Sequence, residues 1–347
     1  MHVLVTGHTG FKGAWLVLML HRAGHQVSGL ALDPLPGALY ETTHLVELLR
    51  HDLRCDVRDR DATVAALCEA APQVVVHLAA QPLVRASYQV PRGTIETNVL
   101  GTLSVLEGIA AVGDVQAAVM VTTDKVYRNV GQLDGYREVD ALGGHDPYSA
   151  SKAMADILIS SWVDSFPGAP TAIARAGNVI GGGDVSADRL LPDLLRGFAT
   201  GQPTLIRNPS AVRPWQHVLD CLNGYLLLID ALLEGHGSGS WNFGPDPGGF
   251  RTVAEAADVA EQAWGPGADW VVDDAVHPHE AALLTLDATK ARTELHWQDR
   301  LDFTEAIGWT VSWAKEVAMG RPARDVCLAQ IADFEALGSV GVGRTAL

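Results

Sequence analysis

The first half of the sequence alternates short apolar runs with longer amphipathic segments, and this alternation restricts the possible folds more than any other feature. The runs HVLVT, QVSGLALD, QVVVHLAA and AAVMVTT are short and almost continuously apolar, which is typical of strands that helices cover on both faces. Helical patterns such as AWLVLMLHRAG and TNVLGTLSVLEGIAAVG separate them. The alternation predicts an α/β fold with a doubly wound parallel sheet.

A glycine-rich turn follows the first predicted strand. The segment TGHTGFKG places Gly7, Gly10 and Gly13 between that strand and a predicted helix. Glycine permits a tight turn, and it lets backbone N–H groups at the positive end of the helix approach a pyrophosphate. Such a turn can be purely structural, but its place between strand and helix is the one expected for dinucleotide binding. The sequence therefore predicts a Rossmann-type domain.

The composition changes after residue 180. Gly- and Pro-rich loops such as NPSAVRPWQH and WNFGPDPGGF separate fewer regular elements there, which favours a smaller C-terminal substrate-binding lobe. We predict a dinucleotide-binding domain over residues 1–180 with a returning segment near 212–240, a substrate-binding lobe mainly over 181–330, and a flexible tail over 336–347. A chain of 347 residues is long enough for one large domain or two.

Two carboxylates are candidates for the adenosine end of a dinucleotide. Asp33 closes the second predicted strand, where its carboxylate can accept hydrogen bonds from a ribose diol, although a turn-forming aspartate is the alternative. No arginine follows it immediately to neutralise a 2′-phosphate, so the pattern favours NAD over NADP. Asp56 follows a third short strand and is placed to face the adenine.

Charge and cysteine content restrict the possible partners. The chain has 41 acidic and 25 basic residues, a formal net charge of −16, so its field repels phosphate backbones and we expect no nucleic-acid partner. An anionic ligand must therefore be held by local donors. The four cysteines have no CxxC spacing, so we expect no metal site and reduced thiols. They are Cys55, Cys68, Cys221 and Cys327.

Neither a secretory signal nor a membrane span is expected. The N-terminal segment MHVLVTG lacks a basic region followed by an apolar one, and the apolar stretch GYLLLIDALLEG is short and interrupted by Asp230 and Glu234. Together with reduced thiols, this favours a cytoplasmic protein.

Two further segments carry groups for proton transfer. DPYSASK places Tyr148 and Lys152 four residues apart, on one face of a helix. A phenol has an ordinary pKa of about 10, and a neighbouring ammonium lowers it. Thr123 ends the apolar strand in VMVTTDKVYRN, and with the dinucleotide turn these three residues predict hydride-transfer chemistry. Asp124 and Lys125 follow directly; an adjacent acid and base is otherwise most often a solvated surface pair.

Together these motifs resemble those of an extended short-chain dehydrogenase/reductase, and within that group the sequence is similar to the CDP-glucose 4,6-dehydratases. The segments TGHTGFKG, HLAAQPLVR, DPYSASK, ARAGNVIGGGD, RPWQHV and WNFGP follow the family's order, and the resemblance extends from Met1 to about Trp313. DPYSASK joined with RPWQHV is specific to the sugar-nucleotide branch. The chain departs from the pattern at Val185, where the family has an aromatic residue near the expected sugar pocket.

The resemblance implies a redox-neutral dehydration of a nucleotide-diphospho-glucose, with NAD as the cofactor. In that reaction the Tyr148 phenolate takes the proton of the sugar 4-hydroxyl, Thr123 bonds the same oxygen, and Lys152 keeps the tyrosine ionised. Asp124 is then the acid and Lys125 the base that eliminate water across C5 and C6. The alternative is that Lys125 only orients Asp124 or the substrate.

The resemblance also carries over binding residues, motif by motif. On the cofactor side they are Gly7, Thr9, Gly10, Phe11, Lys12, Gly13, Asp33, Asp56, Val57, Leu78, Ala79, Ala80, Asn98, Thr122, Tyr148 and Lys152. On the nucleotide-sugar side they are Gln81, Arg175, Asn178, Arg189, Arg207, Arg213, His217, Asn242 and Glu280, with His279 a weaker candidate. Asn178 and Arg213 are expected to bind the diphosphate, although a surface ion pair is the alternative for the arginines. We expect His77 to pack at a strand end.

The resemblance further implies a homodimer, in which helices near residues 94–111 and 148–164 of each subunit form a four-helix bundle. Two other functions stay open. Another extended short-chain dehydrogenase, such as a sugar-nucleotide 4-epimerase or decarboxylase, has no use for Asp124 and Lys125. A non-catalytic NAD-binding regulator needs none of the proton-transfer groups.

Overall fold

Strands and helices alternate up to residue 121, as the sequence pattern predicts. The computed structural model describes residues 1–273, 275 and 283–338. The elements of the first part are β1 (His2–Thr6), α1 (Phe11–Arg22), β2 (Gln26–Ala31), α2 (Leu39–Thr42), β3 (Leu49–Arg54), α3 (Arg60–Ala70), β4 (Val74–His77), α4 (Val84–Gln89), α5 (Pro91–Ile95), α6 (Gly101–Val112) and β5 (Ala117–Val121). A π-helical turn (Glu96–Leu100) joins α5 and α6 into one continuous helix.

The rest of the described chain mixes helices with short strands. In chain order these elements are α7 (Pro147–Ser165), β6 (Thr171–Ala176), β7 (Asn178–Ile180), α8 (Leu190–Thr200), β8 (Thr204–Ile206), β9 (Val212–His217), α9 (Val218–Leu233), β10 (Gly239–Phe243), β11 (Phe250–Thr252), α10 (Val253–Trp264), β12 (Trp270–Val272), α11 (Thr289–Glu294), α12 (Phe303–Ala318) and α13 (Ala323–Gly338).

Seven of these strands form one parallel sheet. Its order is β10-β6-β5-β4-β1-β2-β3. This is the doubly wound dinucleotide-binding order 3-2-1-4-5-6, extended at one edge by β10. In such sheets a crevice forms at the carboxyl ends of the strands, where the strand order reverses beside β1. The predicted fold class is therefore confirmed.

Alternate residues of each strand face two separate hydrophobic cores. In β1, Val3 and Val5 belong to the core that contains α1 and α9, whereas Leu4 belongs to the core beneath α3 and α6. All three side chains are almost fully buried. Helices therefore cover both faces of the sheet, which explains why the strands are apolar on both sides.

The second half of the chain adds two small sheets and returns once to the large one. β9 pairs with β7 in parallel and with β11 in antiparallel, and β8 pairs with β12. α9 packs on β5 and β6, and β10 extends the large sheet. α13 continues to Gly338, so residues 336–338 of the predicted tail are helical. Residues 339–347 lie outside the described residues.

The continuous helix Pro91–Val112 has the length and composition of a membrane span, which the sequence reading overlooked. Its apolar window has a mean hydropathy of 1.3, and 44% of that window is buried inside the protein. The helix packs against α3 and α7, so it is part of the folded domain. Ile95 and Leu100 remain 40% and 51% exposed on its outer face.

Candidate active site

A cavity of about 1940 Å³ lies at the carboxyl ends of the parallel strands. One wall, here called the cofactor half, consists of α4 and the loops after β1, β2, β3, β4 and β5. The other wall, the substrate lobe, consists of the segments around β7, β8 and β9. A pocket for one small molecule has a volume of about 300–1,000 Å³, so this cavity has room for a dinucleotide and a second ligand.

The glycine-rich turn forms part of the cofactor half and fits a pyrophosphate. Gly7 has φ 72°, and a Cβ there would lie 2.8 Å from the backbone nitrogen of Ala79. A Cβ on Gly13 would lie 2.2 Å from the Gly7 carbonyl oxygen. Gly10 precedes α1 without any side-chain cap, so the first N–H groups of that helix stay available to an anion.

Two ion pairs lie at the expected adenosine end. The Asp33 side chain is 90% exposed and stands 3.6 Å from Arg54 Nε. Arg54 comes from the end of β3, so an arginine is near Asp33 in space although none follows it in sequence. Asp56 lines the cavity, and hydrogen bonds from the Arg58 side chain lower the pKa of its carboxyl.

Nearly all of the predicted cofactor residues line the cavity. Those that do are Gly7, Thr9, Gly10, Phe11, Lys12, Gly13, Asp33, Asp56, Val57, Leu78, Ala79, Ala80, Thr122, Tyr148 and Lys152. Asn98, which was also predicted to bind the cofactor, does not line the cavity. It is almost fully buried, its amide oxygen accepts the Gln81 N–H at 2.8 Å, and its amide nitrogen donates to Ser151 Oγ at 2.8 Å. Asn98 therefore supports the loop that carries Gln81.

The start of α7 places the predicted catalytic tyrosine and lysine. Asp146 caps this helix by accepting the Ser149 N–H at 2.9 Å, and Pro147 occupies its first turn. Tyr148 and Lys152 therefore lie one turn apart, both are buried, and both line the cavity together with Thr123. The structure thus brings the predicted trio together.

Burial shifts the pKa values of Tyr148 and Lys152, the two titratable residues of this trio. It raises the pKa of Tyr148 to about 12, against the lowering effect of a hydrogen bond with Thr123. Burial also lowers the pKa of Lys152 to about 8, and the positive charge of Lys12 adds to this. Lys152 Nζ donates to the Val121 carbonyl at 3.0 Å. For Tyr148, desolvation of the phenolate outweighs the lowering effects of Thr123 and Arg189, and the lowering expected from Lys152 stays a prediction.

Asp124 and Lys125 form a pair inside the protein. They lie in a single 3-10 turn (Asp124–Val126) that Thr123 caps. Lys125 Nζ and Thr123 Oγ1 both donate to Asp124 Oδ1, at 3.0 and 2.9 Å. Asp124 is fully buried and its Oδ2 has no partner in the described part of the chain, whereas Lys125 lines the cavity. A solvated surface pair is excluded, and of the two only Lys125 reaches the cavity.

Three residues predicted to bind the nucleotide sugar lie in the core instead. Arg175 is 3% exposed and its guanidinium forms a two-point ion pair with Asp156 at 2.6 and 2.9 Å. Asn242 is fully buried and donates to the Tyr136 carbonyl at 2.8 Å. His217 caps α9, and full burial lowers its pKa to about 3. Each of these side chains faces the protein interior and not the cavity, which its motif alone does not reveal.

The other residues that were predicted to bind the nucleotide sugar either line the cavity or lie outside the described residues. Gln81, Asn178, Arg189, Arg207 and Arg213 line the cavity. Glu280 and His279 lie outside the described residues. Val185 is not part of the cavity lining.

His77 is structural, as predicted. It is almost fully buried, and its ring lies 2.7 Å from Thr6 Oγ1 and 3.1 Å from Thr102 Oγ1. The cysteines Cys55, Cys68, Cys221 and Cys327 are free. Within residues 1–273, 275 and 283–338, no group of three His, Cys, Asp or Glu side chains could hold a metal ion.

Several charged residues of the cavity were missed by the sequence reading, among them Arg85 and Asp188. Arg85 lies in PLVRASY, a segment that was matched only as a family motif, so the signal for it was present but unused. Asp188 lies in a loop before α8 without a recognisable motif. Both contribute ion pairs at the cavity.

Comparison with known sequences identifies the family. The pattern described as "NAD dependent epimerase/dehydratase family" matches residues 3–244, a range that includes the glycine-rich turn and the trio of Thr123, Tyr148 and Lys152. The chain belongs to this family. NAD is therefore its cofactor, as predicted, and the cavity lining fits a dinucleotide.

One sequence relative and two solved structures show which individual proteins this chain is similar to. CDP-glucose 4,6-dehydratase from Salmonella typhimurium is 43% identical over 343 residues, which cover 96% of this chain and 95% of the relative. A UDP-glucose 4-epimerase from Thermus thermophilus, solved in complex with NAD, has a TM-score of 0.80 at 26% identity and covers 91% of this chain and 99% of its own. MoeE5, solved with UDP-glucose and NAD, has a TM-score of 0.77 at 25% identity, with coverages of 92% and 100%.

Proposed function

We propose that the protein catalyses the NAD-dependent, redox-neutral dehydration of CDP-D-glucose to the 4-keto-6-deoxy sugar nucleotide. The observation that carries this proposal is the convergence of Thr123, Lys125 and Tyr148 in one cavity. The chain that holds them is 43% identical to a CDP-glucose 4,6-dehydratase over nearly its whole length. Oxidation and reduction at C4 need only the threonine and the tyrosine, with Lys152. The Lys125–Asp124 pair adds groups for an elimination.

Oxidation at C4 is assigned to Tyr148. NAD, when bound, supplies reversible acceptance of a hydride. In its phenolate form, Tyr148 removes the proton of the sugar 4-hydroxyl, and Thr123, which hydrogen-bonds the tyrosine, holds the same sugar oxygen. Lys152 lies one helical turn away, and its positive charge favours the phenolate as the proton moves. Burial excludes water from these groups, which strengthens their electrostatic interactions.

Elimination is assigned to the Lys125–Asp124 pair. A 4-ketone acidifies the neighbouring C5 proton, and Lys125, which lines the cavity, removes that proton in this proposal. Asp124 is assigned as the acid of this step, and its proton reaches the departing 6-hydroxyl through a residue that lines the cavity, because Asp124 itself is fully buried outside the lining. Its Oδ1 already accepts two hydrogen bonds, so the unpartnered Oδ2 is the oxygen that can carry a proton.

Replacing Lys125 with Met tests the division of roles. If Lys125 is the base, Lys125→Met stops exchange of the C5 hydrogen with solvent deuterium. Normal turnover and normal exchange would instead support the alternative, in which Lys125 only orients Asp124 or the substrate.

The diphosphate is assigned to donors of the substrate lobe. Asn178, Arg189, Arg207 and Arg213 all line the cavity there. Guanidinium groups suit phosphate oxygens because they donate in pairs. This local cluster offsets the chain's net charge of −16.

A panel of sugar nucleotides tests the proposal. Purified protein with NAD is incubated with CDP-, dTDP-, UDP- and GDP-glucose, and mass spectrometry follows the loss of one water. We expect loss of water from CDP-glucose. A product of unchanged mass with inverted C4 would indicate a 4-epimerase, and no turnover of any sugar nucleotide would favour a regulator.

We also propose a cytoplasmic homodimer. Ile95, Leu100, Met154 and Ile157 are 39–55% exposed on the two helices Pro91–Val112 and Pro147–Ser165, and a four-helix bundle with a second copy would bury them. The free cysteines fit a reducing compartment. Light scattering at micromolar concentration should give twice the chain mass, and a monomeric mass would contradict the dimer.

A further inference from the structure

The carboxylate of Asp188 connects the two walls of the cavity. Its Oδ1 accepts a hydrogen bond from Arg85 Nη1 at 2.7 Å and another from Arg207 Nη1 at 2.9 Å. Arg85 belongs to α4 in the cofactor half, whereas Asp188 and Arg207 belong to loops of the substrate lobe. All three line the cavity, so one carboxylate bridges the cavity from wall to wall.

The backbone conformation and the charge of Asp188 both suit it to this contact. Its backbone has φ 61°, a left-handed conformation that is uncommon outside glycine and that surrounding contacts must hold. Burial raises the pKa of Asp188, but hydrogen bonds from Arg207 and Arg85 outweigh it and the net shift is downward. The side chain is therefore a carboxylate at neutral pH, with a guanidinium from each wall.

Helix α4 is itself fixed to the catalytic helix. Ser87 on α4 is fully buried, and its Oγ accepts the backbone N–H of Tyr148 at 3.1 Å. The same hydroxyl donates to the Val84 carbonyl at 2.6 Å. Arg85 therefore projects from a rigid element, and the partners it holds lie on loops.

We propose that Asp188 is a latch that holds the substrate lobe against the cofactor half over the bound nucleotide sugar, with Arg85 as its anchor. Both are positioning residues for substrate binding. The inference rests on the proposed function, because the ligand that the latch retains is the nucleotide sugar.

The latch has a defined kinetic consequence. Without it the lobe spends less time in the binding-competent position, and KM rises as that fraction falls. The reacting groups are unaffected, because α4 stays attached to the start of the Tyr148 helix through Ser87. Loss of the latch therefore changes KM and leaves kcat unchanged.

A double-mutant cycle tests the latch in the full chain with NAD. Arg85→Met removes the anchor, and Asp188→Gly removes the carboxylate with a residue that suits the left-handed backbone. We expect KM for CDP-glucose to rise about fivefold in Arg85→Met and at least as much in Asp188→Gly, with kcat within about twofold. Adding Arg85→Met to Asp188→Gly should cause no further rise, because Asp188→Gly already removes the Arg85–Asp188 contact.

The control is Arg60→Met. Arg60 forms exposed ion pairs with Asp61 and Glu107 and is not part of the cavity lining, so its loss should leave KM unchanged.

Other outcomes overturn the latch. A further rise of KM in the double variant would show that Arg85 contacts the substrate directly. A lower KM in Asp188→Gly would show that Asp188 competes with the substrate for the arginines. Unchanged KM in both single variants would also contradict it.

Hydrogen exchange separates failure of the latch from failure of the proposed function. Without substrate, the latch predicts faster amide exchange over residues 183–189 in Asp188→Gly and unchanged exchange over residues 84–89. If the wild type dehydrates no sugar nucleotide but exchange changes in this way, the proposed function fails and the latch stands. If the wild type turns over and exchange does not change, the latch fails.

Discussion

The two walls of the cavity are built from different groups. In the cofactor half, Gly7 and Gly13 allow the backbone itself to approach the ligand, and a Cβ at either position would overlap other backbone atoms. In the substrate lobe, charged side chains form the wall, with Arg189 paired to Asp184 and Arg207 to Asp188. The shape of a wall made of backbone can be predicted from the fold. The shape of a wall made of side chains also depends on the direction in which each side chain points.

The largest effect is expected at Tyr148, which lines the cavity from α7. Tyr148→Phe removes the phenolic oxygen that, when ionised, accepts the substrate proton, and it keeps the ring. We expect kcat to fall by about 10³-fold, because general acid–base catalysis contributes on the order of 10²–10⁴-fold, with NAD content unchanged. Turnover of Tyr148→Phe within tenfold of the wild type would contradict the assignment.

Substitutions at Arg175 and Arg189 distinguish a contact in the protein core from a contact with the ligand. Arg175→Met leaves the Asp156 carboxylate buried without its partner, and we expect the free energy of unfolding in urea to fall by about 3–5 kcal/mol. Arg189→Met removes a guanidinium that is 34% exposed and stands 3.5 Å from the Asp184 carboxylate, so it should lower stability by less than Arg175→Met does while raising KM. If Arg175→Met instead raises KM and leaves stability intact, the distinction between core and ligand contacts is wrong.

A substitution at Gly13 tests whether the backbone of the glycine-rich turn forms the cofactor half of the cavity. A Cβ at Gly13 would stand 2.2 Å from the Gly7 carbonyl oxygen, and such overpacking costs about 1–3 kcal/mol. We expect Gly13→Ala to weaken NAD binding by roughly 10- to 100-fold in a calorimetric titration. Gly308→Ala is the matched control, since no atom lies within 4 Å of its Cβ position. Equal NAD affinity of the two variants would contradict the fit of the turn to the pyrophosphate.

The dependence of stability on pH tests Asp220, a buried acid of α9 that does not line the cavity. Burial raises the pKa of Asp220 to about 7, from 3.8, and its carboxyl accepts the N–H groups of Arg300 and Leu301 at 2.7 and 3.4 Å. Because the folded pKa is the higher one, the folded state binds more protons between these pH values. The contribution of the Asp220 carboxyl to the free energy of unfolding is fully present below about pH 4, and it is lost as pH rises through about 7.

The Asp220→Asn variant isolates this contribution. We expect its free energy of unfolding to gain on the wild type as pH rises from about 4 to 7, by at most about 1.4 kcal/mol per pH unit. Denaturation curves at several pH values measure the difference. Parallel stability profiles of the two proteins would show that Asp220 does not titrate in this range.

The sequence predicted the fold and the cofactor half well, for a physical reason. Strand periodicity and glycine spacing report backbone geometry directly, so the sheet and the turn at Gly7, Gly10 and Gly13 could be placed. The Tyr148–Lys152 spacing likewise follows from one helix. Asn98 was the exception, because its amide is used to hold another loop.

The substrate lobe could be predicted only in part. Arg175, His217 and Asn242 lie in motifs of the right kind, but each is buried among partners from distant segments. The bridge from Arg85 to Asp188 joins residues 103 positions apart in the chain. Such contacts depend on tertiary packing, which short motifs do not encode.

One labelling measurement tests the proposed dehydration most directly. CDP-glucose that carries deuterium at C4 is incubated with the protein and catalytic NAD, and the product is analysed by NMR and mass spectrometry. We predict a 4-keto-6-deoxy product with the deuterium at C6, because redox-neutral dehydration returns the same hydrogen to the sugar. Product without deuterium at C6, or a product that keeps its 6-hydroxyl, would contradict the proposed function.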